Sequence, residues 1–184
     1  IMVSPPSLSE KLSAITYRIR SSAAKVNRNP NEIKLVAVTK SFPPEIWLDV
    51  LNENLTCIGE NRVPEAADKS RYFPYRDKIE LHLIGHLQSN KTRKAVELFD
   101  VIQTVDSIKL ARRLNTISKE KNKTQRVFVQ INTGEDPKKQ GFSNENILSA
   151  AEEISNFKNL FLNGIMTIPP SGITNKELSL IYRK

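Results

Sequence analysis

The stretch IKLVAVTKSFPPEIWLDVLNENLTCIG, residues 33–59, decides the fold. Its opening, IKLVAVTK (33–40), is an apolar, β-branched run of strand length. Pro43-Pro44 then opens a helix on which Ile46, Trp47, Val50 and Leu51 recur at helical spacing. LTCIG (55–59) is a second short apolar run. A strand, a helix and a strand in so short a span form a βα unit, and the intervening helix makes the two strands parallel.

The same alternation continues outward in both directions. A helical stretch near 62–72 leads to IELHLIG (79–85) and then to a helix from about Lys91 to Phe99. VIQTV (101–105) runs into Asp106, placed to cap a helix carrying Ile108, Ala111, Leu114 and Ile117. RVFVQIN (126–132) is followed by a loop and a helix with Ile147, Leu148, Ala151 and Ile154. LFLNGIMTI (160–168) is the sixth strand, and a further helix begins after Asn175. At the other end, Ser7 and Glu10 have the spacing of a capping box. They open a helix with Leu8, Leu12, Ile15, Ile19 and Val26 on one face, ended by Asn29-Pro30-Asn31.

Repeated βα units fit either an open doubly wound sheet or a closed barrel. The nucleotide-binding doubly wound form needs glycines in its first turn, and Lys40-Ser41-Phe42-Pro43-Pro44 has none. The expected fold is therefore an α/β (β/α)8 barrel of the TIM type with an N-terminal helix, of which about six βα units are legible. Residues 1–184 hold no Gly/Ser-rich linker and read as a single domain.

Composition narrows the function classes. Lys+Arg 28 against Asp+Glu 20 gives a net charge of +8, but the charge is scattered. Lys138-Lys139 is a pair, and Lys91, Arg93 and Lys94 form the one local cluster. Aromatic residues do not alternate with basic ones to make a base-stacking platform, so no specific nucleic-acid partner is expected. Apolar runs fall short of the roughly 18 residues of a membrane span. The opening IMVSPPSLSE lacks a basic segment followed by an apolar one, so no signal peptide is read and a cytoplasmic location is expected. A lone Cys57 excludes an internal disulfide framework and, on this reading, a Cys-based zinc site.

The candidate functional residues lie at strand ends, where active groups gather in parallel α/β folds. Lys40 ends the first strand above Val36 and Val38. Partial desolvation there would favour a neutral amine able to condense with an aldehyde, whereas a lysine snorkelling into water is the plain alternative. Asn61, in Gly59-Glu60-Asn61, offers a donor and an acceptor to a ligand, or caps the following helix. His82 and His86 would lie roughly 13 Å apart along a continuous strand and so could not share a metal. After Leu87-Gln88, Ser89 or Asn90 is placed to cap a helix whose first turn carries Lys91, Arg93 and Lys94. Cations there oppose the helix dipole, a local conflict that a bound anion would relieve. Gly164 permits close approach of another group, and Met166 is either core filler or a contact at the mouth. Ser41 and Ser171 have no histidine placed to complete a hydrolase triad.

Taken together, AVTK (37–40), GEN (59–61), HLIGHLQSNK (82–91), QTVD (103–106), VQIN (129–132) and GIMTIPP (164–170) resemble the pyridoxal phosphate homeostasis protein family. This family is the single-domain relative of the alanine racemase N-terminal barrel. The resemblance implies pyridoxal 5′-phosphate (PLP) held as a Schiff base on Lys40, with Asn61 close to the cofactor and Met166 in a strand lining the same mouth. It implies a cofactor carrier without catalysis; a PLP-dependent racemase or lyase of the same barrel is the alternative. The family's last two strands bring a Ser-containing segment and an Arg-Ile-Gly segment to the phosphate and pyridine ring, and neither is found in this sequence. The 184-residue chain is accordingly expected to bind PLP weakly or not at all and to be prone to association through unpaired sheet edges.

Overall fold

The structure, a computed structural model, describes residues 5–134 and 140–183, so the Lys138-Lys139 pair lies outside the described residues. Six strands make one sheet: β1 (Ala37–Val38), β2 (Cys57–Glu60), β3 (Glu80–Leu83), β4 (Val101–Val105), β5 (Gln125–Gln130) and β6 (Leu160–Met166). They are hydrogen-bonded in sequence order, and every pair is parallel. The helices are α1 (Leu8–Ala24), α2 (Ile46–Asn52), α3 (Val63–Tyr72), α4 (Thr92–Leu98), α5 (Ile108–Glu120), α6 (Ile147–Ser155) and α7 (Asn175–Ile181).

A strand order that never reverses, joined by crossovers of one hand, keeps the connecting helices on one face. This removes the doubly wound alternative and leaves six units of a barrel, open between β1 and β6. The helix-facing side is the core, where Ile58, Leu81, Leu83, Ile102, Val127 and Val129 are buried against Trp47, Ala66, Val96, Phe99, Leu114 and Ile154. The opposite side is the inside of the partial barrel. A Cβ added to Gly59 would meet Val36 Cγ1 and Ile84 Cδ1, both at 3.2 Å, so these three positions share the inner face. The open edges leave Val38, Phe161 and Ile165 about half exposed or more.

Several sequence expectations are corrected. The first strand is Ala37–Val38 rather than 33–40, because only these two residues are in register with β2, Ala37 opposite Ile58 and Val38 opposite Gly59. Ser107, not Asp106, caps α5 through its hydroxyl, which accepts from Leu110 N–H; the Asp106 carboxylate is taken by His86. Neither Ser89 nor Asn90 caps α4: they belong to a 3-10 turn, Ser89–Lys91, and Thr92 Oγ1 donates to the Ser89 carbonyl instead. The Ser7–Glu10 capping box is formed as expected. The apolar face of α1 is covered only in part, with Ile15 and Val26 exposed and Ala23 its one buried residue.

Candidate functional site

At the N-terminal end of β3, Glu80 gathers a polar cluster on the inner face. Its carboxylate accepts from Lys34 Nζ at 2.9 Å and meets Arg126 at 2.8 Å and His82 Nε2 at 2.8 Å. The His82 Nδ1 atom is paired with the Gln103 amide. Cys57, Glu80 and His82 bring their ligand atoms within 4.8 Å of one another, so the sequence-based exclusion of a Cys-containing metal set was too strict. Spacing along the chain could not show that β2 and β3 lie in register with Cys57 beside Glu80. Glu80 is, however, already neutralised by two cations, and the arrangement reads as a structural plug of the barrel floor. His86 stands apart, beyond the strand, as expected.

This cluster sets the acid limit of stability. Burial pushes the Glu80 carboxyl up, but hydrogen bonds from Lys34, Arg126 and His82 outweigh it and bring it down to about 2. A depressed folded-state value stabilises the fold above the unfolded carboxyl value and loses that contribution as pH falls through the folded one. Burial also lowers the His82 value below 6.5, so His82 opposes folding increasingly below that pH. Stability is therefore expected to fall on acidification from pH 6.5 and more steeply from 4.5 toward 2. Glu80→Gln should be less stable at neutral pH and flatten the lower limb, as read by urea unfolding across this range; an unchanged limb would remove Glu80 from the account.

The C-terminal ends of the strands form the mouth. Gly85, just past β3, runs so close to the turn after β2 that an added Cβ would sit 2.1 Å from the Asn61 carbonyl oxygen. The turn holds Asn61 with its side-chain Oδ1 buried and without a hydrogen-bond partner among the described residues. Asn61 lines a hollow of about 390 Å³ with Gly85, His86, Gln88 and Lys91. A second hollow, about 210 Å³, continues across the mouth past Ile84, His86, Thr104, Gln130 and Ile168. His86 lines both and is held by Asp106 at 3.0 Å. Lys91 thus joins the mouth as the N-cap of α4, whereas Arg93 is turned to an ion pair with Glu120.

Lys40 sits two residues past the end of β1, in a turn, and is exposed. Val36 and Val38 share the inner face, and Lys40 follows them in the turn. Met166 ends β6 opposite Gln130, half buried. Neither Lys40 nor Met166 lines the two hollows; they stand on the two edge strands, across the mouth from each other in strand order. Gly164, at an irregularity in the β5–β6 register, lies against the Phe128 ring, the close approach expected of it.

The sequence reading missed a buried polar group behind Lys40, on the helix side of the sheet. Glu60 Oε1 accepts from Thr39 Oγ1 at 2.6 Å, Trp47 Nε1 at 3.2 Å and Lys69 Nζ at 2.7 Å. Glu60 is fully buried and the Lys69 side chain is 4% exposed. The one available signal was the four-residue spacing of Glu65 and Lys69 on α3, which pair at 3.2 Å but which surface helices also show.

Residues 11–178 match the family model described as alanine racemase, N-terminal domain. A pyridoxal phosphate homeostasis protein of Vibrio alginolyticus is 38% identical over 166 residues, covering 89% of this chain and 71% of its own length. One of Haemophilus influenzae is 36% identical over 178 residues, covering 96% of this chain and 75% of its own. The solved structure of PipY from Synechococcus elongatus, with PLP bound, superimposes with a TM-score of 0.77 at 30% identity, covering 89% of this chain and 76% of that one.

Proposed function

Since the chain belongs to the pyridoxal phosphate homeostasis protein family, built on the alanine racemase N-terminal domain, we propose that it binds PLP as a Schiff base on Lys40. The observation that carries the reading is the mouth itself. Asn61 lines a hollow at the strand ends, and its side-chain Oδ1 is buried without a hydrogen-bond partner among the described residues, a polar group that calls for a donor. Lys40 follows the neighbouring strand, in the exposed turn past its C-terminal end. Met166 contributes apolar surface from the opposite edge.

When bound, PLP supplies an aldehyde for the lysine and an electron-withdrawing ring. The chain's own residues would hold and orient it: Lys40 by a covalent bond, Asn61 by a hydrogen bond, Lys91 by its charge at the lining of the hollow. We read the protein as a carrier that keeps the cofactor in the cytoplasm rather than as an enzyme, in line with the names of its relatives. Among the described residues, no helix is long and apolar enough to cross a membrane.

Titration with PLP tests the reading. The protein should develop the visible Schiff-base absorbance, and Lys40→Ala should lose it while keeping its far-UV circular dichroism. Equal absorbance from the two proteins would remove Lys40 from the site. One observation favours the racemase or lyase alternative: His86, fixed by Asp106, lines both hollows and could move a proton. Exchange of an amino acid's α-proton with deuterated solvent by the PLP-loaded protein, abolished by His86→Gln, would decide for that alternative.

A further inference from the structure

The peptide groups on both sides of Lys40 are held by side chains of one helix. On the preceding side, the Thr39 carbonyl accepts from Lys69 Nζ at 2.8 Å and from the Phe42 N–H at 3.2 Å. The Thr39 N–H donates to the Gly59 carbonyl at 3.0 Å, and its hydroxyl is bound to Glu60. On the following side, the Ser41 N–H donates to Glu65 Oε1 at 2.8 Å. Ser41 is in the left-handed region with φ 65°, a conformation that a non-glycine residue keeps only when its surroundings hold it there. Glu65 and Lys69 are one helical turn apart on α3 and also pair with each other at 3.2 Å, while Lys69 is anchored from behind by Glu60.

We propose that Glu65 and Lys69 are positioning residues for Lys40, a two-point clamp that sets where its amine stands at the mouth and so how fast it captures an aldehyde. The inference rests on the functional reading above. In the step concerned, the Lys40 nitrogen forms a C=N bond to the aldehyde carbon of PLP, and the aldehyde oxygen leaves as water with the two protons of the neutral amine. An amine on an unclamped turn must find the attack geometry from many; one on a fixed turn starts near it. Two paired strand residues hold β1, too few to fix a side chain beyond its end. The charges of the clamp also serve it. Burial raises the Glu65 carboxyl, yet the Ser41 N–H and Lys69 more than compensate and leave it below the ordinary carboxylate value, an acceptor that stays ionised.

The test is the second-order rate constant for Schiff-base formation on Lys40, read by cyanoborohydride trapping and mass spectrometry, so that it does not depend on tight binding. Glu65→Ala should slow capture about tenfold. Glu65→Gln, whose amide oxygen can still accept from Ser41, should restore most of the rate, a rescue that a general loss of stability would not give. Folded Glu65→Ala reacting at the wild-type rate overturns the clamp. Trapping of the wild-type protein at lysines other than Lys40 overturns the functional reading first, and the clamp with it. If Glu65→Ala does not fold, hydrogen exchange of the wild-type Ser41 amide decides: strong protection upholds the clamp and exchange at the rate of an open turn overturns it.

Discussion

Lys69→Met is expected to cost about 3–5 kcal/mol of folding stability, the range for breaking a buried ion pair from one side. The Lys69 side chain is 4% exposed and its partner Glu60 is fully buried. Without Lys69, the Glu60 carboxylate keeps the Thr39 hydroxyl and the Trp47 indole N–H, but its second oxygen is already without a partner among the described residues. The Thr39 carbonyl would also lose one of its two donors. Against a total of about 5–15 kcal/mol for an ordinary domain, this brings the protein close to unfolding. Urea denaturation reads the effect. Adding Glu60→Gln to Lys69→Met should recover a large part of the loss, because a neutral amide can still accept from Thr39 and Trp47 and carries no buried charge. A cost below about 1 kcal/mol for the single change would show that water reaches this pair and that the network is weaker than its burial implies.

Gly85→Ala is the second large effect, and its cause is purely steric. The new Cβ would lie 2.1 Å from the Asn61 carbonyl oxygen and 2.8 Å from both its carbonyl carbon and its Cα. All three atoms are backbone, so no side chain can swing aside, and either the end of β3 or the turn after β2 must move. Overpacking typically costs about 1–3 kcal/mol, and contact with rigid backbone belongs at or above the top of that range. The hydrogen bond from Thr104 Oγ1 to the Gly85 carbonyl, 2.7 Å, would be strained by the same shift. Thermal denaturation should show the loss, and cofactor capture should weaken with it because Asn61 is displaced. A variant within about 0.5 kcal/mol of wild type would mean that the two segments are not in contact.

What the sequence disclosed follows from what is periodic. Six βα units and their parallel order rest on repeats of apolar residues, and the structure reproduces them, while the first helix, read from Leu8 through Val26, ends at Ala24. Boundaries set by single hydrogen bonds were less legible. Asp106 and Ser107 are both good caps, and the choice was made by His86, twenty residues away in the chain, which occupies the Asp106 carboxylate. The shortness of β1 reflects how few of its residues come into register with β2, which a local apolar run cannot show. Asn61 stood out as a polar residue closing an apolar strand, and the fold places it in the lining of a hollow. Glu60, one position earlier, looked like a similar rim residue but faces the helices, and a one-residue step reverses the face of a strand. The clamp was invisible for the same reason: Glu65 and Lys69 come from one helix and their anchor Glu60 from a strand end, and only the fold shows that they meet behind Lys40.

The central claim is that one amine, that of Lys40, carries the cofactor. Borohydride reduction of the PLP-treated protein, followed by proteolysis and peptide mapping, tests it most directly. The account predicts a pyridoxyl group on the peptide containing Lys40, with the remaining lysines modified only at the background level of the unfolded chain. Modification spread evenly over exposed lysines, with Lys40 no richer than its neighbours, would contradict it.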